Sequence, residues 1–138
     1  MKKKISGLLI ALILICVSIL AINLYHGLIS NKTYDLQLGH NPNQELPKMD
    51  DDGVSFKNDT RLIAMAIYPD KKEQILQAQL YVTKRGESRV LQVEKMRETA
   101  DLAAFEMRLR NLSWEPGEYT IYFKRGTEIQ LSLDFTLK

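Results

Sequence analysis

The sequence contains one cysteine, Cys16, and it lies inside an apolar run. Everything after that run is without a disulfide, so its stability must come from a packed core. Histidine is nearly as scarce: there are two, His26 and His40, and only His40 lies in the later part of the chain. Without a second histidine there, the sequence offers no zinc site built on two histidines. Charge of either sign is missing from Ile5 to Asn31, and acidic residues are missing until Asp35. The formal net charge of +2 therefore overstates the basicity of the chain beyond the run. Of 19 Lys and Arg, Lys2, Lys3 and Lys4 precede the run, which leaves 16 bases against 17 acids, a balance of −1. A near-neutral chain of mixed sign gives no reason to expect nucleic acid as a partner.

What is present begins with the uncharged run itself. Leu, Ile, Ala and Val dominate Ile5 to Leu24. A helix rises ~1.5 Å per residue, so about 20 such residues would cross the ~30 Å core of a bilayer. A cleaved signal peptide is weighed against this, but the best cut, after Ala21, places bulky Ile19 three residues before the bond. Lipidation at Cys16 would need a small residue where Ile15 stands, and Cys16 reads as a small apolar residue in lipid. The expectation is an uncleaved transmembrane helix over residues 5–27. A cytoplasmic N-terminus, 1–4, precedes it, and an extracytoplasmic domain, 31–138, follows. Three lysines before the run against Lys32 alone close behind it orient the N-terminus inward. The implied localisation is a bacterial inner membrane, single-pass, with the lipid bilayer as one partner. The sequons at Asn31, Asn58 and Asn111 matter only in a eukaryotic secretory pathway and are read as chance.

The later part reads as strands. Tyr34, Leu36 and Leu38 share one face of a short first strand, and a loop occupies 39–60, rich in Gly, Pro, Asn and Asp. Leu62–Tyr68 is a continuous apolar run, as expected of a strand buried on both faces. Leu76, Ala78, Leu80 and Val82 then alternate with Gln77, Gln79 and Tyr81. A weaker alternation is led by Leu91 and Val93. Phe105, Met107 and Leu109 alternate with charged neighbours, and Ile129 to Leu137 alternates without a fault. Two hairpins turn at Lys-Arg-Gly, with Gly86 and Gly126 free to take the positive φ that short turns demand. The expected fold class is all-β: an antiparallel, immunoglobulin-like β-sandwich of about seven strands, preceded by the one transmembrane helix. Its expected core includes Leu62, Ile67, Leu80, Val82, Phe105, Leu109, Ile121, Leu131, Leu133 and Phe135.

The stretch "NLSWEPGEYTIYF", 111–123, reads as a corner. A tyrosine at the start of a strand, just after a Pro-Gly turn, often bonds back to the corner's backbone. Leu112, Pro116, Gly117 and Tyr119 fit that part, with Trp114 capping the core.

Chemistry is thinly supplied. Glu94 and Glu98 read as solvated surface carboxylates. "DDDG", 50–53, lacks the spacing of a calcium loop and reads as a solvated turn. His40 with Met49 is a conceivable copper pair, but each reads better as exposed loop. No catalytic, metal or cofactor site is expected. The remaining candidates are Lys84, Arg85, Lys124 and Arg125 on the two hairpin tips. If the tips meet at one end of the sandwich, they form a basic patch for lipid headgroups or an acidic partner.

The layout resembles the FixH family, small single-span proteins linked to assembly and copper supply of cbb3-type cytochrome oxidases. The resemblance lies in "LYHGL" after the apolar run and in "AAFEMRLRNLSWEPGEYTIYFKRG". It implies an assembly or copper-handling factor. Read from the residues alone, the expectation is a non-enzymatic membrane protein whose outer domain binds or braces a membrane-associated partner complex.

Overall fold

A computed structural model describes the backbone of residues 2–29 and 33–138, and side chains from 7–22 and 33–138. Chain contacts divide it into two compact units, Met1–Ser30 and Asn31–Lys138. The first is a single helix, α1 (Lys2–Ile29). All its described side chains are exposed. Among the described residues, no helix is long and apolar enough to cross a membrane. The expected transmembrane helix over 5–27 is corrected accordingly. With it goes the single-pass, inner-membrane localisation that rested on it. The flanks of that expectation, 5–6 and 23–27, lie outside the residues whose side chains are described, as does Asn31.

The second unit consists of eight strands, not seven: β1 (Asp35–Gly39), β2 (Ser55–Phe56), β3 (Ile63–Ile67), β4 (Gln77–Lys84), β5 (Val90–Arg97), β6 (Ala104–Arg108), β7 (Gly117–Arg125) and β8 (Glu128–Leu137). They form a three-stranded sheet, β1-β3-β6, and a five-stranded sheet, β2-β8-β7-β4-β5. All pairings are antiparallel except β2 with β8, which is parallel. The expectation of a wholly antiparallel sandwich is corrected on this point, and the likeness to an immunoglobulin domain is loose. The parallel strand arises because the chain changes sheets after β1 and reaches the free edge of β8 running in the same direction. Val54 and Phe56 accept there from the N–H groups of Thr136 and Lys138, at 2.8 and 2.9 Å. A two-residue strand has no alternation to read, so 39–60 looks like pure loop in the sequence.

The two sheets share one core. Leu36 and Leu38 of β1, Ala64 and Ala66 of β3, and Phe105 and Met107 of β6 pack with Leu80, Val82, Ile121, Phe123 and Phe135 of the other sheet. The alternation in β4 thus has its expected cause: Ala78, Leu80 and Val82 are fully buried. Of the expected core residues, Leu131 and Leu133 are only partly buried, and Ile67 belongs elsewhere. It packs with Met65 and Met49 on the outer face of the small sheet. This explains the unbroken apolar run in β3. The 39–53 segment folds back so that Met49 covers the second face, and the Gln37 side chain accepts from the Met49 N–H at 2.7 Å. The outer face of the five-stranded sheet receives no such cover from residues 33–138.

Both hairpin glycines take the expected positive φ, +81° at Gly86 and +59° at Gly126. The hairpins do not meet. Lys84 of β4 pairs with Tyr119, whereas Ala78 of the same strand pairs with Arg125. Six residues at ~3.3 Å each set the tips roughly 20 Å apart, at opposite ends of the sheet.

Candidate binding face and its supporting clusters

The four hairpin cations are separated by this topology. At one end, Arg85 reaches Glu118 at 3.3 Å and Asp134 at 3.9 Å, and Lys84 lies 3.9 Å from Glu115. At the other, Arg125 is not a surface residue: it is 8% exposed. Strand parity explains this, because β7 alternates and Tyr119, Ile121, Phe123 and Arg125 all face inward. The Arg125 Nε donates to Glu98 Oε2 at 2.7 Å, and Nη2 donates to Glu98 Oε1 at 2.7 Å and to the Gln74 carbonyl at 2.9 Å. The Leu76 N–H donates to the same carboxylate at 2.9 Å. The Tyr34 ring lies 4.8 Å and the Tyr68 ring 5.9 Å from the guanidinium. Only Lys124 of the four remains on the outer face of the large sheet.

Glu98, expected at the surface, is 2% exposed. Burial alone would raise its carboxyl, but the Arg125 donors outweigh this and hold it below the usual carboxylate range. Burial and the neighbouring Glu98 carboxylate raise the Tyr68 hydroxyl well above its ordinary value. That hydroxyl faces Glu98 without closing a hydrogen bond of ordinary geometry. This cluster is a fixed ion pair with its charges satisfied, not a poised acid or base.

The aspartates of the acidic loop are likewise bonded to internal donors, although Asp50 and Asp52 stay exposed. Asp51 accepts from the His40 and Asn41 N–H groups, both at 2.8 Å, and faces His40 Nδ1 at 3.0 Å. Asp52 accepts from the Leu38 N–H at 3.2 Å, and Asp50 from the Asn43 side chain at 3.0 Å. The burial of Asp51 opposes ionisation, but these donors prevail and lower its pKa. Carboxylates surrounded by N–H donors do not offer a cation a ligand cage, and no group of three metal-ligating side chains occurs among the described residues. Met49 is buried at 4% exposure, and His40 Nδ1 is taken by Asp51. Neither is the exposed loop residue the sequence suggested.

The 111–123 corner is a built feature. The Tyr119 hydroxyl donates to the Glu115 carbonyl, and the Trp114 ring stacks on Tyr119 at 5.4 Å. Leu112, read as part of the corner, is 51% exposed. The inward side chain is Asn111, fully buried. Its Oδ1 accepts from the Leu62 N–H at 2.9 Å, and its Nδ2 donates to Asn58 Oδ1 and the Thr60 carbonyl, each at 2.8 Å. With its amide thus occupied, the Asn111 sequon carries no accessible acceptor. An open groove of about 430 Å³ lies beside Trp114, with Lys84, Glu87, Arg89 and Glu115 around it. Two cations against two anions give it no charge preference.

The outer face of the large sheet is different in kind. Val93, Tyr81, Tyr122 and Ser132 lie across it in register, one from each of four adjacent strands. The Tyr81 and Tyr122 rings stack at 4.9 Å and 18°. Both are half-buried, while Val93 and Ile129 are 45% and 54% exposed. The sequence signal was there: each tyrosine occupies an outward position in an alternating strand, where a polar residue is the norm. It went unread because single outward aromatics are common and the two lie 41 positions apart.

No protein-family model matches the sequence, and no curated protein matches it. Among solved structures, the β-glucosidase EmGH1 of Erythrobacter marinus is 18% identical over 76% of this chain, with a TM-score of 0.41. A β-glucosidase of Listeria innocua, in complex with glucose, is 14% identical over 75%, also at 0.41. The chain spans 16% of the length of each. At such scores the likeness carries nothing about activity, and none of these comparisons bears on the resemblance to the FixH family.

Proposed function

We propose that residues 33–138 form a non-catalytic binding module that engages a partner through the outer face of the five-stranded sheet. One observation carries the reading: a stacked Tyr81–Tyr122 pair, flanked by exposed Val93 and Ile129, on a sheet face that residues 33–138 leave uncovered, while the smaller sheet's outer face is covered by Met49. Tyrosine presents large, rigid area with a polar tip, which suits a surface that is wet when free and dry when bound. Support also comes from the ionisable clusters. Glu98 and Asp51, whose carboxyls are held below their ordinary range, are bound to fixed internal donors, so their charges hold the fold together.

The test places a photoreactive side chain at Val93 or Ile129, with Lys57 and Asp70 as control positions. Discrete adducts are expected in cells from the first two positions alone, and they should vanish when Tyr81→Ser and Tyr122→Ser are added to a chain that still folds. Equal labelling from all four positions would refute the reading.

A further inference from the structure

The proposed face is not uniform in charge. Next to the tyrosine row lies a second row of Lys95, Gln79, Lys124 and Ile129, and beyond it Arg97 pairs with Gln77. None of the ion pairs among the described residues involves Lys95, Arg97 or Lys124. On the other side of the tyrosines, Asp134 accepts from Thr120 at 2.8 Å, and Arg85 holds both Asp134 and Glu118. The cationic half of the face thus keeps its charge free, while the anionic half is largely answered from within.

Resting on the reading of this face as a binding surface, we propose that its occupant is an extended acidic segment of a partner protein. The segment crosses the strands with its carboxylates over Lys95 and Lys124 and its apolar positions against Tyr81 and Tyr122. Lys95 and Lys124 sit two strands apart, roughly 10 Å at ~4.8 Å per strand. In a polyproline-type extended segment, residues three apart share one side and span about 9 Å, so a carboxylate at every third position matches the two lysines. Unpaired cations at the rim of an aromatic patch favour such a partner by charge complementarity and speed its approach. A second copy of this chain meeting it face to face would have to offer Asp134 and Glu118, which Arg85 already engages. Binding here needs no induced order in the sheet, because the tyrosine pair is already stacked.

The experiment titrates the full-length chain with a synthetic peptide carrying glutamate at every third position, and with the same peptide carrying glutamine. Saturable binding of the glutamate peptide is expected. It should weaken by about tenfold or more for the glutamine peptide and for Lys95→Gln/Lys124→Gln. It should be unchanged in Lys57→Gln/Lys138→Gln, which removes the same charge elsewhere. Folding of each variant is read from the fluorescence of Trp114. Equal binding of both peptides, abolished by Tyr122→Ser, would overturn the acidic occupant while leaving the face a binding surface. Binding of neither peptide also overturns the acidic occupant, and cross-linking from Val93 then judges the face separately. Equal competition by a single-stranded oligonucleotide or by anionic phospholipid vesicles overturns it in favour of those ligands. A concentration-dependent dimer abolished by the same lysine pair overturns it in favour of a second copy.

Discussion

Replacing Glu98 by glutamine removes one charge and almost no volume. In the folded chain that carboxylate has no exposed side-chain surface, and its partner, the Arg125 side chain, is 9% exposed. Two charged hydrogen bonds of 2.7 Å join them, and the Leu76 N–H adds a third to the carboxylate. Glutamine can still accept from one side, but it must point an NH2 group at a donor of Arg125, leaving the guanidinium buried without a counter-charge. Removing one partner of a buried pair costs about 3–5 kcal/mol, against a total of ~5–15 kcal/mol for a small domain. Arg125→Met should cost a similar amount, because Glu98 then becomes the buried orphan and the Gln74 carbonyl loses its donor. The pair together is the informative case. Glu98→Leu with Arg125→Met removes both charges, so the main penalty disappears. What remains is the unpaired Leu76 N–H and Gln74 carbonyl, about 1–3 kcal/mol each at most. The double variant should therefore be more stable than the sum of the single losses predicts. Urea unfolding of the full-length chain, followed by Trp114 fluorescence and compared at equal slopes, measures all three. Single variants that each lose less than ~1 kcal/mol, or a double variant that loses the full sum, would refute this account of the ion pair.

Tyr119→Phe leaves the Glu115 carbonyl without its donor while keeping the ring packed, and should cost about 1–3 kcal/mol; Tyr122→Phe, on the outer face, should cost under ~0.5 kcal/mol. Equal urea midpoints for the two would mean the corner bond contributes nothing. Asn111→Ala removes the acceptor of the buried Leu62 N–H, and a loss of about 1–3 kcal/mol is expected in the same assay. The pH dependence follows from Glu98 and Asp51, whose folded pKa values both lie below their unfolded values of about 4.3 and 3.9. Their contribution is complete above those unfolded values and is lost as pH falls through the folded ones. Urea midpoints should thus be level down to about pH 5 and decline below about pH 4, and Glu98→Gln or Asp51→Asn should flatten the decline. An unchanged acid limb in both variants would assign the acid sensitivity to other carboxylates.

Local pattern carried much of this protein. A period of two is a property of the strand itself, so the alternations in 77–82 and 105–109 placed their strands and their inward residues without knowledge of partners; that in 129–137 placed its strand, but a register shift beside Lys124 turns Ile129 to the outer face. The two hairpin turns followed from Lys-Arg-Gly for the same reason: a positive φ is a one-residue requirement. The Tyr119 corner was legible because its donor and acceptor lie four residues apart.

What only the tertiary structure decided depends on residues distant in sequence, and alternation alone does not place a partner. Arg125 looks like another turn cation until β7 is laid beside β4 and its side chain falls on the inward side, facing Glu98 from 27 positions away. The two hairpin tips carry the same three residues, yet the register of β4 against β7 sends them to opposite ends. The apolar run of β3 announced two buried faces but not that the 39–53 segment would supply the second through Met49. The parallel β2 depends on an edge of β8 that exists only once the sheet is assembled. The apolar run near the N-terminus was read from hydropathy over 5–27 as a membrane span, whereas no helix among the described residues is long and apolar enough to cross one. The Tyr81–Tyr122 pair belongs to the same class. Each tyrosine is one outward residue on its own strand, and they become a surface only when hydrogen bonding sets those strands side by side.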